Sequence, residues 1–419
     1  MNEIVIINRI ISVLFTVCYA YQFFYVIVGL IKKPVRYTAK TNHRYAAVVS
    51  ARNESAVIGN LIASLKGQNY PSELVDIYVI ADNCTDDTAE AAKKAGVYVY
   101  ERFNRELVGK GYALDWFFKR LKEDGRFVYD AFIVFDADNI VEPGFISGMN
   151  TVFDNGYRIV TSYRNSKNYG ENWISAGYSL WFLREARYLN SVRMMLGTSC
   201  AISGTGFLVS SEIIEENGGW VHHLLTEDIE FTTDSIIRGE KIGYCEDAIL
   251  YDEQPTTIKQ SYFQRLRWAK GFYQVFCSYG GKLAKGIFKG SFACYDMLMT
   301  LMPAMLLTLF CVVCNTAALV FGAIDKSPEM GIMIKALFQT IAGFYAMFFA
   351  LGVITTITER NKIYCSNFKK IFFLFTFPLF MLTYVPISII ALFKKVKWEP
   401  IKHSVSKTLT DICGSAAEK

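Results

Sequence analysis

The sequence predicts an α/β domain built on a parallel sheet and tied to membrane helices, and three observations carry that reading. Short apolar runs alternate with amphipathic stretches from about Tyr45 to Asp252, the pattern of strands separated by helices. Longer apolar runs flank this block, residues 4–31 before it and 297–324, 332–358 and 371–393 after it. Lys and Arg gather beside those runs, as they do next to a bilayer. The chain of 419 residues is 52% hydrophobic and 15% aromatic, too apolar for an ordinary soluble enzyme. Its net charge of +5 is modest and membrane-proximal, so a lipid bilayer and no nucleic acid is the expected partner. Ten cysteines lack paired spacing, and Cys311 and Cys314 read as small buried thiols of an apolar run. Only four histidines are present, which disfavours a zinc centre.

Taken in order, residues 1–31 are long enough to cross a bilayer, interrupted mainly by Arg9. They lack a small-residue cleavage site and read as an anchor. Lys32, Lys33 and Arg36 follow, which places the next segment, 32–257, in the cytoplasm. There "YAAVVSA", "VDIYVIAD" and "AFIVFDAD" read as strands, with helices over 56–66, 87–95 and 111–121. Residues 258–295 form an interfacial helical stretch, 296–393 the C-terminal membrane helices, and 394–419 a basic juxtamembrane tail. The last apolar run is awkward. As a full span it would strand Lys394, Lys395 and Lys397 outside, and Pro378 and Pro386 interrupt it. An interfacial helix with a re-entrant piece is the alternative.

Parallel sheets bind ligands at the carboxyl ends of their strands, and carboxylates collect there. Glu54 follows the first strand, Asp82 ends the second, and Asp136 and Asp138 end "AFIVFDAD". On one strand face the last two would lie roughly 7 Å apart and repel by about 2 kcal/mol at an effective dielectric near 20. A magnesium or manganese ion with a nucleotide diphosphate would offset that repulsion. Each piece has a plainer reading: Asp82 as an Asx turn, Asn53 or Ser55 as a cap, Lys110 as an exposed loop lysine. Glu227 and Asp228, in "LLTEDIEF", fit a helix's first turn as macrodipole partners. Upstream, Gly204, Thr205 and Gly206 of "SGTGF" form a loop that a backbone could bring against an acceptor beside Asp228. Gln264, Arg267 and Trp268 stand at i, i+3 and i+4, one helix face with a phosphate-binding fork beside a flat indole. An interfacial amphipathic helix would carry the same residues.

The ordered set Asp82, Asp136-x-Asp138, Thr226-Glu227-Asp228 and Gln264-x-x-Arg267-Trp268 resembles that of the membrane-embedded family 2 glycosyltransferases. These are the cellulose, hyaluronan and poly-N-acetylglucosamine synthases, and the match runs from about Tyr45 to Tyr273. The resemblance implies a GT-A fold (Rossmann-like), a UDP-sugar donor, a growing polysaccharide acceptor, a divalent Mg2+ or Mn2+ ion and inversion at the anomeric carbon. By analogy Glu54, Asp82, Lys110, Asp136, Gln264 and Arg267 hold the donor, Asp138 the metal. Asp228, with Glu227 beside it, serves as base, and Gly204, Thr205, Gly206 and Trp268 meet the acceptor. Two departures stand out: no cyclic-dinucleotide receptor domain follows the last apolar run, and no F-x-V-T-x-K loop is evident. In its place "KKVKWEPIKHS" offers Trp398 and His403 to close over the donor, or a solvated basic tail. The reading as a whole is a processive inverting β-glycosyltransferase, multi-pass in a bacterial-type plasma membrane, making a β-glucan from UDP-glucose. A poly-N-acetylglucosamine or hyaluronan-like product, or single transfer to a lipid carrier, are its alternatives. A transporter is disfavoured, since residues 297–324, 332–358 and 371–393 hold few ionisable groups apart from Lys335.

Overall fold

A computed structural model describes residues 3–399 and 406–414. The α/β core contains β1 (Tyr45–Ala51), β2 (Val75–Asp82), β3 (Tyr98–Arg102), β4 (Ala131–Asp136), β5 (Ile140–Val141), β6 (Ile159–Ser166), β7 (Phe207–Ser210) and β8 (Ile242–Asp252). They make one sheet in the order β3-β2-β1-β4-β7-β6-β8-β5. β1 and β4 are apolar runs buried on both faces, which is why their sequences lack alternation. β1 pairs with β2 on one side and β4 on the other, both parallel. The chain thus switches direction across the sheet at β1, where ligand crevices form.

The expected all-parallel sheet is only half right. β7 runs antiparallel to both β4 and β6, and β5 antiparallel to β8. The cause lies in the loop before β7. That loop starts at the carboxyl edge, where the Thr205 hydroxyl accepts a hydrogen bond from the Asp136 amide at 2.9 Å. A strand leaving that edge must run away from it.

The strand through "AFIVFDAD" is also shorter than expected, ending at Asp136. Asn139 folds the chain back: its amide donates to the Asp136 carbonyl at 3.2 Å, and its side-chain oxygen accepts from the Asp136 amide at 3.2 Å. Asp136 and Asp138 therefore do not share a strand face. Asp136 opens to the crevice, while Asp138 is buried and accepts from the Glu253 amide at 2.9 Å.

Helix 227–238 begins after Thr226 and stops at Gly239, whose φ of +90° ends it in a left-handed turn. The long helix Ile258–Phe288 is capped by Thr257, whose hydroxyl accepts from the Gln260 amide at 3.2 Å. Gly271 on this helix sits so close to Thr226 that a Cβ would meet its side chain at 2.5 Å. That contact seats the helix against the turn carrying Glu227 and Asp228.

Four helical stretches, Glu3–Ile31, Phe292–Ile324, Met330–Thr358 and Asn367–Phe393, are long and apolar enough to cross a membrane. The first and second are joined by reciprocal amide bonds between Asn8 and Asn315, at 3.0 and 2.8 Å. The fourth is the run whose course the sequence left open. At its start Lys369 donates to the Gly170 carbonyl at 2.6 Å, and at its end Lys270 donates to the Ala391 carbonyl at 3.1 Å. One end therefore meets the sheet domain and the other the helix Ile258–Phe288. It breaks at Thr383 into Asn367–Leu382 and Tyr384–Phe393, where Arg265 donates to the Phe380 carbonyl and the Thr383 hydroxyl. Beyond it Lys394 lies over the Tyr262 ring of the helix Ile258–Phe288, and Trp398 reaches the cavity.

Candidate active site

A cavity of about 660 Å³ opens at the carboxyl edge of β1, β2 and β4 and continues between the apolar helices. Of the sequence-selected residues it is lined by Glu54, Asp82, Lys110, Asp136 and Asp138 at one end. Gly204, Glu227, Asp228, Gln264, Arg267 and Trp268 line the other. Thr205 and Gly206 do not reach it. Thr205 is buried and ties Asp136 to Asn139, and a Cβ on Gly206 would collide with Leu250. Both therefore shape the loop instead of touching an acceptor.

The donor end answers its own charge problem. Asp82 is buried and pairs with Arg102 at 2.5 Å, Asp136 pairs with Lys110 at 2.6 Å, and Asp252 pairs with Arg164. Burial still pushes the Asp82 carboxyl above its ordinary range, with Arg102 opposing. Lys110 also donates to the Gly204 carbonyl at 2.8 Å, so one ammonium links the donor edge to the loop beside Asp228.

The acceptor end differs. Burial pushes Glu227 up to about 7, helped by the charge of Asp228. Burial raises Asp228 as well, opposed by backbone N–H groups and by the charges of Lys110 and Arg267. One Asp228 oxygen, Oδ2, accepts the Gly204 amide at 2.7 Å; the positive φ of Gly204, +80°, turns that amide inward. Arg267 donates to the Leu225 carbonyl at 3.2 Å, just before the helix of Asp228. Trp268 stands edge-on to Tyr178 and Phe182 at 5.6 and 6.2 Å, which fixes the indole as a wall of the cavity.

Several lining residues escaped the sequence reading. Arg52 follows the end of β1, and its guanidinium lies 5.1 Å from the Trp398 ring, which bounds the cavity. Arg52 could have been found by the strand-end rule that selected Glu54. Arg164 and Asp252 lie on β6 and β8 and pair across the sheet, which no local pattern announces. The tail's Trp398 thus lies at the donor end, while His403 lies outside the described residues.

A divalent ion implied by this chemistry can be tested against the carboxylates. Among the described residues no cluster of three His, Cys, Asp or Glu forms a cage. Magnesium needs none, taking one or two carboxylates and filling its shell with phosphate and water. Asp138 lines the cavity, and its charge helps burial raise the neighbouring Asp252. Buried Lys167 faces the same carboxylates and is itself depressed by burial. An oxygen-rich, electronegative corner of this kind fits a hard cation that shares its shell with a diphosphate.

Residues 43–271 match the family model described as "Glycosyltransferase like family 2". The chain belongs to glycosyltransferase family 2. A similar curated protein is the probable glycosyltransferase YdaM of Bacillus subtilis, 23% identical over 86% of this chain and 85% of that protein. The β-monoglucosyldiacylglycerol synthase of Synechocystis is 26% identical over 55% of this chain and 48% of its own length. The poly-β-1,6-N-acetyl-D-glucosamine synthase of Staphylococcus aureus is 25% identical over 54% of each. This chain thus spans about half the length of the last two. Among solved structures, the mannosyltransferase PcManGT from Pyrobaculum calidifontis, with GDP-Man and Mn2+, superposes with a TM-score of 0.56. It is 15% identical and is covered over 92% of this chain and 99% of that one, which establishes the GT-A-like fold for this family 2 member.

Proposed function

We propose that this family 2 glycosyltransferase is an inverting, membrane-embedded enzyme that transfers a hexose from a UDP-sugar. The observation that carries the reading is the single cavity joining the donor-end carboxylates, the Glu227–Asp228 pair and the space between candidate membrane helices. The donor diphosphate lies along the edge formed by Asp82, Asp136 and Lys110, with Gln264 and Arg267 facing it. Magnesium or manganese held by Asp138 would neutralise charge on the departing diphosphate.

The acceptor hydroxyl is deprotonated by Asp228. Its Oδ2 accepts from the Gly204 amide, which orients the carboxylate to take the proton. The hydroxyl oxygen bonds to the anomeric carbon as the bond from that carbon to UDP breaks. Configuration inverts without a covalent enzyme intermediate, since one base serves one displacement. Arg267 and Lys110 meet the developing negative charge. Trp268 offers its face to the acceptor ring.

The catalytic domain lies on the cytoplasmic face, with Lys32, Lys33 and Arg36 on its side of the first span. Glucose is the donor sugar, the product is a β-glucan, and the chain grows processively into the gap between the helices. A specific observation favours a second reading. The membrane arm is lined mainly by apolar residues such as Phe15, Phe23, Met305, Phe344 and Leu351, which suits a single transfer to a lipid, as the name of the diacylglycerol-glucosylating relatives suggests. Membranes containing the full chain, given radiolabelled UDP-glucose or UDP-N-acetylglucosamine with and without Mg2+ or Mn2+, separate the two. Glucanase-sensitive label of high molecular weight supports polymerisation, and label extractable into organic solvent supports a lipid acceptor. If neither sugar is transferred, the proposal falls.

A further inference from the structure

Two buried arginines, Arg184 and Arg193, and the half-buried Arg164 line this cavity beside the apolar helices, and two of the three have carboxylate partners. Arg164 pairs with Asp252, and Arg193 holds Asp296 through two bonds of 2.7 Å. Among the described residues Arg184 forms no ion pair; it ends the helix Trp173–Arg184 and is 6% exposed. One terminal nitrogen donates to the Gln22 amide oxygen at 2.7 Å, Nε has no partner, and the guanidinium lies 4.8 Å from the Trp181 ring.

The nearest acid in sequence, Glu185, is drawn elsewhere. Its carboxylate accepts from the Ser203 hydroxyl and is shared electrostatically with Arg164 and Arg193 as well as Arg184. From Glu185 the chain winds as a π-helix to Asn190, a widening that recurs at functional sites. A buried guanidinium with no carboxylate in hydrogen-bond contact is costly. Its planar fork matches the oxygens of a phosphate.

We propose that Arg184 is the core of an oxyanion subsite in the acceptor arm of the cavity, which takes the phosphate of a lipid headgroup. The lipid assignment comes from what continues beyond it. Gln22 belongs to the helix Glu3–Ile31, whose Phe15, Phe23 and Val26 line the arm next to the guanidinium. A phosphate seated on Arg184 would place acyl chains along those residues. Burial also lowers the Arg184 pKa to about 10, so a bound anion would restore what burial costs. This inference rests on the reading that the acceptor side of the site faces that arm.

The test is lipid retention by the full chain in nonionic maltoside micelles, read by native mass spectrometry. Dioleoyl phosphatidic acid is compared with dioleoylglycerol, which has the same chains and no phosphate. The variants are Arg184→Gln, which removes the charge, and Gln22→Glu, which gives the buried guanidinium a carboxylate of its own and so favours folding. We expect the wild type to retain phosphatidic acid at least 10-fold better than dioleoylglycerol, and both variants to lose that preference. UDP affinity should stay within twofold of wild type, which verifies the fold. Displacement by an equal concentration of inorganic phosphate would keep the oxyanion subsite and assign it to free phosphate. Equal retention of both lipids by the wild type, or undiminished preference in both variants, overturns the proposal. No sugar turnover is needed for this readout. Retention without transfer would therefore defeat the transferase reading and leave the subsite standing.

Discussion

At the ends of β2 and β4 each carboxylate meets a cation from the same chain, Asp82 with Arg102 and Asp136 with Lys110. At the start of helix 227–238 two carboxylates sit in one turn, and among the described residues neither forms an ion pair. The strand-end carboxylates are thus each held in place by a cation. The Glu227–Asp228 turn has no such partner, and burial lifts both proton affinities, helped at Glu227 by the charge of Asp228. Binding a diphosphate calls for fixed charge and geometry, whereas removing a proton from a hydroxyl calls for a carboxylate that wants one. On the proposed roles the same residue type would perform both tasks, with neighbours, not the side chain, deciding which.

The sharpest way to break this comparison is Asp228→Asn. The amide keeps the shape and cannot take a proton, so transfer should fall by about 10³-fold, equivalent to about 4 kcal/mol. Affinity for UDP, measured by calorimetry, should stay close to wild type because the donor contacts lie elsewhere. A parallel loss of UDP binding would remove Asp228 from the role of base.

On the donor side, Arg102→Met leaves Asp82 buried without its partner, a loss of about 3 kcal/mol in stability. The double variant with Asp82→Asn should recover much of it in thermal unfolding. If the double variant is no more stable than the single, the pair is not what holds that corner. Lys110→Met probes the link between the halves. Donor binding should weaken by roughly 10-fold as Asp136 loses a charge-assisted bond. The acidic limb of the rate profile should also move to higher pH, because Lys110 lowers the proton affinity of both Glu227 and Asp228. A shift in binding with an unmoved limb would separate the two ends.

The gathering of carboxylates at the strand ends was largely legible in the sequence because it follows from strand chemistry. β1, β2 and β4 are apolar runs, and a polar residue ending such a run lies at the ligand edge. What escaped is set by contacts distant in the chain. Arg102 reaches Asp82 across 20 positions, and Arg164 reaches Asp252 across 88, pairings that no periodicity encodes. The end of β4 was misplaced by two residues because Asn139 folds back on Asp136, a turn that the apolar pattern does not report. The fourth apolar stretch read as an awkward span because composition measures length and hydropathy, and reports neither its break at Thr383 nor the contacts of Lys369 and Lys270 at its two ends. Thr205 and Gly206 looked like acceptor contacts because a glycine-flanked loop serves either a ligand or a tight sheet junction. Packing against Leu250 makes it the second.

The smallest effect tests the raised proton affinity itself. Glu227 has its proton affinity raised from 4.5 to about 7 in the folded protein. The native state therefore binds this proton more tightly than the unfolded chain. Stability from this group is fully present below about pH 4.5, declines as pH rises, and is gone above about 7. Glu227→Gln removes that dependence. The melting temperature of the variant relative to wild type should be level below 4.5, climb between 4.5 and 7, and level off beyond. At the upper plateau the gain should be on the order of 1 kcal/mol, since the open cavity lets water screen part of the cost. A difference independent of pH would mean that the proton affinity of Glu227 is not raised. The contrast between the two ends would then rest on Asp228 alone.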